Sequence, residues 1–214
     1  MFVAKRMTPN PITIESTAGV TEAWDLMRSH KIKRLPVVDN GNLVGIVTDR
    51  DLRSVSPSTA TTLSIFEMNY LLGKVLVKDI MHKDVVTIDV GATIEEAALA
   101  MSNHHIAGLV VINSAGTVLG IITETDIFNS FVDVMGLKEG KTRLTFRVSN
   151  QVGVLHDITQ VFKDMNVNIS SLATYVTEDG SAELVIRTNI QDTKALTERL
   201  AAIGFPPMHV AQIG

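Results

Sequence analysis

Apolar and polar positions along the first two thirds of the chain follow one pattern, and that pattern occurs twice. Each copy opens on a short extended stretch rich in β-branched residues, Pro11-Ile12-Thr13-Ile14 and then Val85-Val86-Thr87-Ile88. Apolar residues at helical spacing follow: Val20, Ala23, Trp24 and Met27 in the first copy, Ile94, Ala97, Ala98 and Met101 in the second. Thr93 with Glu96 predicts a capping box for the second of these helices, and Gly19 with Glu22 its weaker counterpart. Two short apolar strands come next around a Gly-containing turn, Leu35 to Val38 with Leu43 to Val47, and Leu109 to Ile112 with Val118 to Ile122. A further helix opens after Thr48 and after Thr123.

The octet Gly45-Ile46-Val47-Thr48-Asp49-Arg50-Asp51-Leu52 returns as Gly120-Ile121-Ile122-Thr123-Glu124-Thr125-Asp126-Ile127. Met7 and Met81, Val20 and Ile94, Met27 and Met101, and Leu35 and Leu109 pair at an offset of 74, which becomes 75 after the turn. The extra residue falls where Asp39-Asn40-Gly41 becomes Asn113-Ser114-Ala115-Gly116, and turns tolerate insertion because their backbone is solvated. The chain therefore uses one β-α-β-β-α unit twice.

After the polar segment Lys138-Glu139-Gly140-Lys141 the pattern changes. Thr142 to Val148 alternates as a strand, and Val154 to Met165 carries Leu155, Ile158, Phe162 and Met165 at helical spacing. A hairpin is expected from Asn168 to Val176 and Ala182 to Thr188, then a helix from Asp192 to Ile203 and a short strand from His209 to Ile213. That order, βαββαβ, is the ferredoxin-like arrangement. The whole is an α+β protein with three expected parts: 1–62, the first repeat with its following Ser/Thr/Pro-rich loop (Ser54 to Thr62); 63–134, a linker helix at Ser64 to Leu72 with the second repeat; and 141–214, the βαββαβ domain.

Composition narrows the function classes. An apolar share of 45% supports a packed core, and the net charge of −4 lacks the basic excess expected of a nucleic-acid binder. With no cysteine there is no disulfide, thiolate nucleophile or Cys-type zinc site. Apolar runs are strand-sized and Met1 to Asn10 lacks a signal-peptide core, so a cytoplasmic protein without membrane spans is expected. No catalytic pattern is recognisable, and His104-His105 has no carboxylate spaced to complete a metal site.

The repeated Thr and Asp carry the candidate chemistry. Thr48 and Thr123 stand at a strand-to-helix junction, where unpaired N–H groups and the helix dipole favour phosphate. Asp51 and Asp126, one turn on, have the reach to accept from ribose hydroxyls. Ser/Thr-x-x-Asp is also a plain capping signature, the bland alternative. Ile12, Thr13 and Ile14, with Val86, Thr87 and Ile88, would wall a purine. The cations are lopsided: Arg34, Arg50 and Arg53 face Gly108, Thr125 and Phe128 in the second copy, so unequal sites are expected, with one cleft gathering these arginines around the more phosphorylated ligand. His105 reaching a phosphate is a subsidiary reading.

The doubled unit, with its two Gly-x-hydrophobic-Thr-x-x-Asp motifs, resembles a tandem CBS (cystathionine β-synthase) domain pair over about Met1 to Val134. The tail resembles an ACT domain through Asn150-Gln151-Val152-Gly153-Val154-Leu155 and Val167-Asn168-Ile169, with Val152 where that family usually has proline. The CBS resemblance implies adenine nucleotide or S-adenosylmethionine (AMP, ADP, ATP) as a regulatory ligand between the repeats, and no catalytic cofactor. The ACT resemblance implies a small amino acid held at a subunit interface by Asn150, Gly153, Val154, Leu155, Asn168 and Ile169. The combination is similar to CBS–ACT proteins of bacterial acetoin utilisation. It implies a non-catalytic, homodimeric regulator of acetoin or related carbon metabolism acting on an unidentified partner protein. The competing expectation is a dimerisation scaffold with degenerate pockets.

Overall fold

The computed structural model describes residues 1–55, 73–138 and 141–212. The expected helix at 64–72, most of the Ser/Thr/Pro-rich loop, two residues of the polar segment before residue 142 and the last residue of the expected C-terminal strand lie outside them. The chain divides into two compact units, Met1–Phe128 and Asn129–Gly214.

In the first unit, helix α1 (Val20–His30) buries Val20, Ala23 and Met27, the i, i+3, i+7 positions of its apolar stripe. Trp24 departs from the expectation: it is 36% exposed, one position round the helix from that stripe. The hairpin β2 (Arg34–Asp39) and β3 (Asn42–Thr48) follows, with Leu35, Val37 and Val47 fully buried, and then α2 (Asp49–Val55). Residues 11–14 do not form the expected strand; only Ile14 makes a bridge, to Val37. After the short α3 (Val77–Ile80), the second repeat runs β4 (Thr87–Asp89), α4 (Ile94–His104), β5 (Gly108–Ile112), β6 (Val118–Thr123) and α5 (Glu124–Val134). The Thr93–Glu96 capping box forms as expected: Glu96 N–H donates to Thr93 Oγ1 at 3.2 Å and Thr93 N–H to Glu96 Oε2 at 2.7 Å.

The two repeats interlock through the segments that precede them. Val3, in the turn Val3–Lys5, is fully buried in the core of the second repeat with Ile94, Ala97, Leu109 and Ile122. Strand β1 (Thr8–Pro9) pairs antiparallel with β6, placing Thr8 opposite Ile121. The equivalent segment before the second repeat enters the first: Val77 is fully buried with Leu35, Val47 and Leu52, and His82 bridges Ile46. Glycine makes both crossings possible. A Cβ on Gly120 would stand 2.6 Å from Met7 Sδ, and one on Gly45 2.5 Å from Met81 Sδ. Each Val, Leu or Ile so buried contributes roughly 1.5–3 kcal/mol, so each repeat draws part of its core from the segment ahead of the other.

The second unit is an antiparallel sheet of order β10-β7-β9-β8, from β7 (Thr142–Ser149), β8 (Ile169–Val176), β9 (Ser181–Thr188) and β10 (His209–Gln212). Helices α6 (Val154–Asp164) and α7 (Lys194–Ala202) cover one face, burying Ile158, Phe162, Leu196 and Leu200 against Leu144, Phe146, Leu184 and Ile186. The order is the expected βαββαβ.

Candidate functional site

A cleft of about 600 Å³ opens in the first unit, lined by both repeats. Thr8, Asn10, Pro11 and Ile12 form one wall, Ile121 and Thr123 to Thr125 another, and Lys31 to Arg34 with Ala107 the rest. Its size sits within the ~300–1,000 Å³ usual for small-molecule sites. Thr123 ends β6 and α5 begins at Glu124, so the N–H end of an eleven-residue helix stands at the cleft.

The Thr–Asp pairs fold as caps in both copies. Thr48 N–H and Oγ1–H donate to Asp51 Oδ2 at 2.8 and 2.7 Å, and Thr123 repeats both bonds to Asp126 Oδ2 at the same distances. The copies differ at the next contact. His82 Nε2 lies 3.0 Å from Asp51 Oδ1, whereas Thr8 occupies the equivalent place in the other copy.

Arg34 is the best-placed cation. Its Nη1 donates to the Ala107 carbonyl at 2.5 Å, carrying the guanidinium from the first repeat onto the second. Burial pushes its pKa down, while Glu124, Asp49 and Asp126 act the other way. Gly108, the residue equivalent to Arg34, makes room: a Cβ there would come within 1.8 Å of Arg34 Nη1. Lys31 and Lys33 join it at the cleft. Sequence reasoning missed both, although the run Lys31-Ile32-Lys33-Arg34 was legible as a basic patch whose counterparts are His105, Ile106, Ala107 and Gly108.

The remaining expected residues scatter. Ile12 and Thr123 line the cleft, whereas the Ile14 side chain is 5% exposed and belongs to the core of the first repeat. Val86 and Ile88 pack against the core of the second repeat, Thr87 starts β4, and Thr13 is exposed. The three arginines do not gather in one cleft. Arg50 is exposed, and Arg53 pairs with Asp49 at 3.1 Å beside a separate groove of about 480 Å³ with Trp24 and Arg28. His105 is the exposed left-handed C-cap of α4, the place Lys31 takes on α1.

In the second unit Gly153 begins α6 with φ +98°, a conformation that favours glycine. Val152 is fully exposed, Leu155 is mostly exposed and Val154 half-buried. Asn150 follows the Ser149 end of β7, while Asn168 precedes Ile169, which pairs with Thr188 at the Thr142 end. Eight residues of strand separate these ends by roughly 20 Å, so one chain does not bring the two asparagines together. One small amino acid would meet both only if a second chain supplied one of them. Among the described residues no helix is long and apolar enough to cross a membrane, and no three His, Cys, Asp or Glu side chains cluster as metal ligands.

A duplicated β-α-β-β-α unit with interlocked leading segments, followed by a βαββαβ sheet, defines a two-part α+β architecture. The CBS domain family matches residues 3–58 and 77–133, and the ACT domain family residues 142–205. The chain belongs to the CBS-domain proteins, carrying a CBS pair followed by an ACT domain. It is 38% identical over 55% of its length to inosine-5'-monophosphate dehydrogenase of Korarchaeum cryptofilum, but spans only 21% of that enzyme. It is 32% identical to a CBS domain-containing protein of Dictyostelium discoideum, over 63% of this chain and 94% of that one. Among solved structures it resembles a candidate acetoin utilization protein (AcuB) from Vibrio cholerae, 30% identical, TM-score 0.53, covering 65% of this chain and 96% of that one. It also resembles the CBS pair of protein MJ0100 in complex with 5'-methylthioadenosine and S-adenosylmethionine, 29% identical, TM-score 0.52, covering 62% and 97%. CBSX2 in complex with AMP is 25% identical, TM-score 0.52, covering 62% and 97%.

Proposed function

We propose that this protein is a non-catalytic sensor that binds an adenosine-containing ligand between its CBS repeats and passes occupancy to an ACT dimer or a partner protein. The carrying observation is the cleft itself, where Arg34, Lys31 and Lys33 share the lining with Thr123 at the α5 N-terminus. A cationic cleft at a helix N-terminus suits a phosphate, and Asp126, one turn into the helix, suits a ribose. Adenosine ligands in the related CBS pairs support the same class of ligand. The cationic excess on this side favours AMP, ADP or ATP over uncharged adenosines, and makes the Thr123 cleft the tighter of two. Likeness to AcuB favours acetoin or related carbon metabolism as the setting.

Isothermal titration with AMP, ADP, ATP and S-adenosylmethionine tests the reading. AMP binding should weaken at least tenfold in Arg34→Ala and in Asp126→Ala, and by less in Asp51→Ala. Two equal sites, or unchanged affinity in Arg34→Ala, would remove it. One observation favours a scaffold instead: both aspartates already serve as caps. No binding of any of these ligands would leave capping as their role.

A further inference from the structure

The face of the ACT sheet opposite its helices carries a pair of guanidinium groups with no carboxylate partner among the described residues. Arg143 on β7 and Arg187 on β9 stand directly opposite each other in the antiparallel register. Side chains so placed have Cβ atoms only about 4.5–5.5 Å apart, and like charges there repel. Arg187 is 6% exposed, and neither its Nε nor its Nη1 has a hydrogen-bond partner. Burial and the neighbouring Arg143 both lower its pKa, and among the described residues no carboxylate acts in the other direction.

The other groups on this face are committed elsewhere. Arg143 Nη1 donates to Thr145 Oγ1 at 2.6 Å, Tyr175 donates to Glu183, and Ser171 Oγ donates to the Met135 carbonyl at 2.8 Å. Gly136, at φ +63°, lies over Ser171 and the Arg187 stem and covers the pair from one side. Arg143 stays half-buried, which leaves its guanidinium partly open toward solvent, while Nε and Nη1 of Arg187 lie buried beside it. A buried guanidinium with unmet donors carries the full desolvation penalty of those groups. A matched anion removes both that penalty and the repulsion.

We infer that Arg143 and Arg187 form a binding site for a small oxyanion, a carboxylate or a phosphate, on the open face of the ACT sheet. It lies at the Thr142 end of β7, roughly 20 Å from the Gly153 loop, and is independent of the nucleotide cleft. Guanidinium is the side chain best suited to planar carboxylate or tetrahedral phosphate.

The test compares thermal unfolding of the full chain and of Arg187→Met in a phosphate-free chloride buffer, then with inorganic phosphate and with malonate added. The wild type should rise in Tm with the concentration of at least one probe, through mass action, and Arg187→Met should not. A response to phosphate alone identifies a phosphorylated ligand, and one to malonate alone a carboxylate. Without probe, Arg187→Met should be at least as stable as the wild type, because it removes an unpaired buried charge. An equal response in both proteins, no response in the wild type, or a clear loss of stability in probe-free Arg187→Met would each overturn the site. Retained AMP stabilisation in Arg187→Met separates this result from the nucleotide reading.

Discussion

Replacing Gly120 with alanine tests the interlock of the repeats and the proposed nucleotide cleft together. Gly120 lies in β6 between Pro9 of β1 and Val111 of β5, so its open side faces the leading segment of the chain. The new Cβ would stand 2.6 Å from Met7 Sδ and 2.8 Å from the Thr8 carbonyl oxygen. Methionine can swing away, but the carbonyl cannot: Thr8 and Pro9 are held in the β6 ladder, and Asn10 N–H donates to Leu119 O at 2.9 Å. Relief therefore requires β1 to lift from the sheet. Overpacking of this kind costs about 1–3 kcal/mol, and a backbone clash belongs at about 2–3 of that range. With about 2–4 °C per kcal/mol for a chain of this size, Tm should fall by roughly 4–12 °C. Thr8 lines the cleft, so AMP affinity measured by calorimetry should fall as well. Gly116→Ala is the control: nothing lies within 4 Å of its Cβ, and only its φ of +79° opposes the change. A Gly120→Ala protein within about 0.5 kcal/mol of the wild type, a size typical of surface substitutions, would refute the account of β1 as a structural clasp.

Further outcomes are expected. Phe146→Ala, which empties a fully buried position of the ACT core, should cost about 3–5 kcal/mol in denaturant unfolding and leave AMP affinity in the first unit unchanged. The Thr93 N–H and hydroxyl hold the Glu96 carboxyl below the usual carboxylate range. Its stabilisation is therefore present above the unfolded-state value and is lost as pH falls through the lower folded-state one. Carbon-detected NMR titration should find the Glu96 midpoint depressed, and Thr93→Val should return it toward normal; an unshifted wild-type midpoint would contradict the capping box. Arg53→Ala should leave AMP binding unaltered, because Arg53 pairs with Asp49 beside the other groove.

Much of this architecture was legible because its signals are local. The doubled pattern, the Thr93–Glu96 box and the βαββαβ order follow from spacing that the chain displays directly. The interlock was not legible, although Met7 and Met81 were recognised as a repeated pair. Periodicity says that a methionine faces a core, not which core, and each of these serves the glycine of the other repeat. The same blindness placed Ile14 beside a ligand and Trp24 on the apolar stripe of its helix, where only tertiary packing decides which side a residue takes. The cations failed differently. Arg34, Arg50 and Arg53 look alike in sequence, but a pitch of 3.6 residues per turn gives Arg50 and Arg53 their own directions on α2, while Arg34 lies on the hairpin and crosses to Ala107.

Arg34 also marks where the two copies of a duplicated chain come to differ in charge. Equivalent residues of the two repeats meet here, and the space that Arg34 Nη1 takes is the space a Cβ at position 108 would need. A side chain at position 108 would displace the Arg34 guanidinium, and Gly108 leaves it in place. The retained guanidinium sits within the influence of acidic groups from both motifs, Asp49 from the first and Glu124 and Asp126 from the second, and it hydrogen-bonds toward the second repeat. With Lys31 and Lys33 facing the cleft and His105 and Ala107 in their equivalent places, the positive charge follows the same direction. The two copies thus differ here both in space and in charge. A phosphate entering the Thr123 cleft would meet a cation already held in position, whereas the Thr48 side begins with Asp51 engaged by His82.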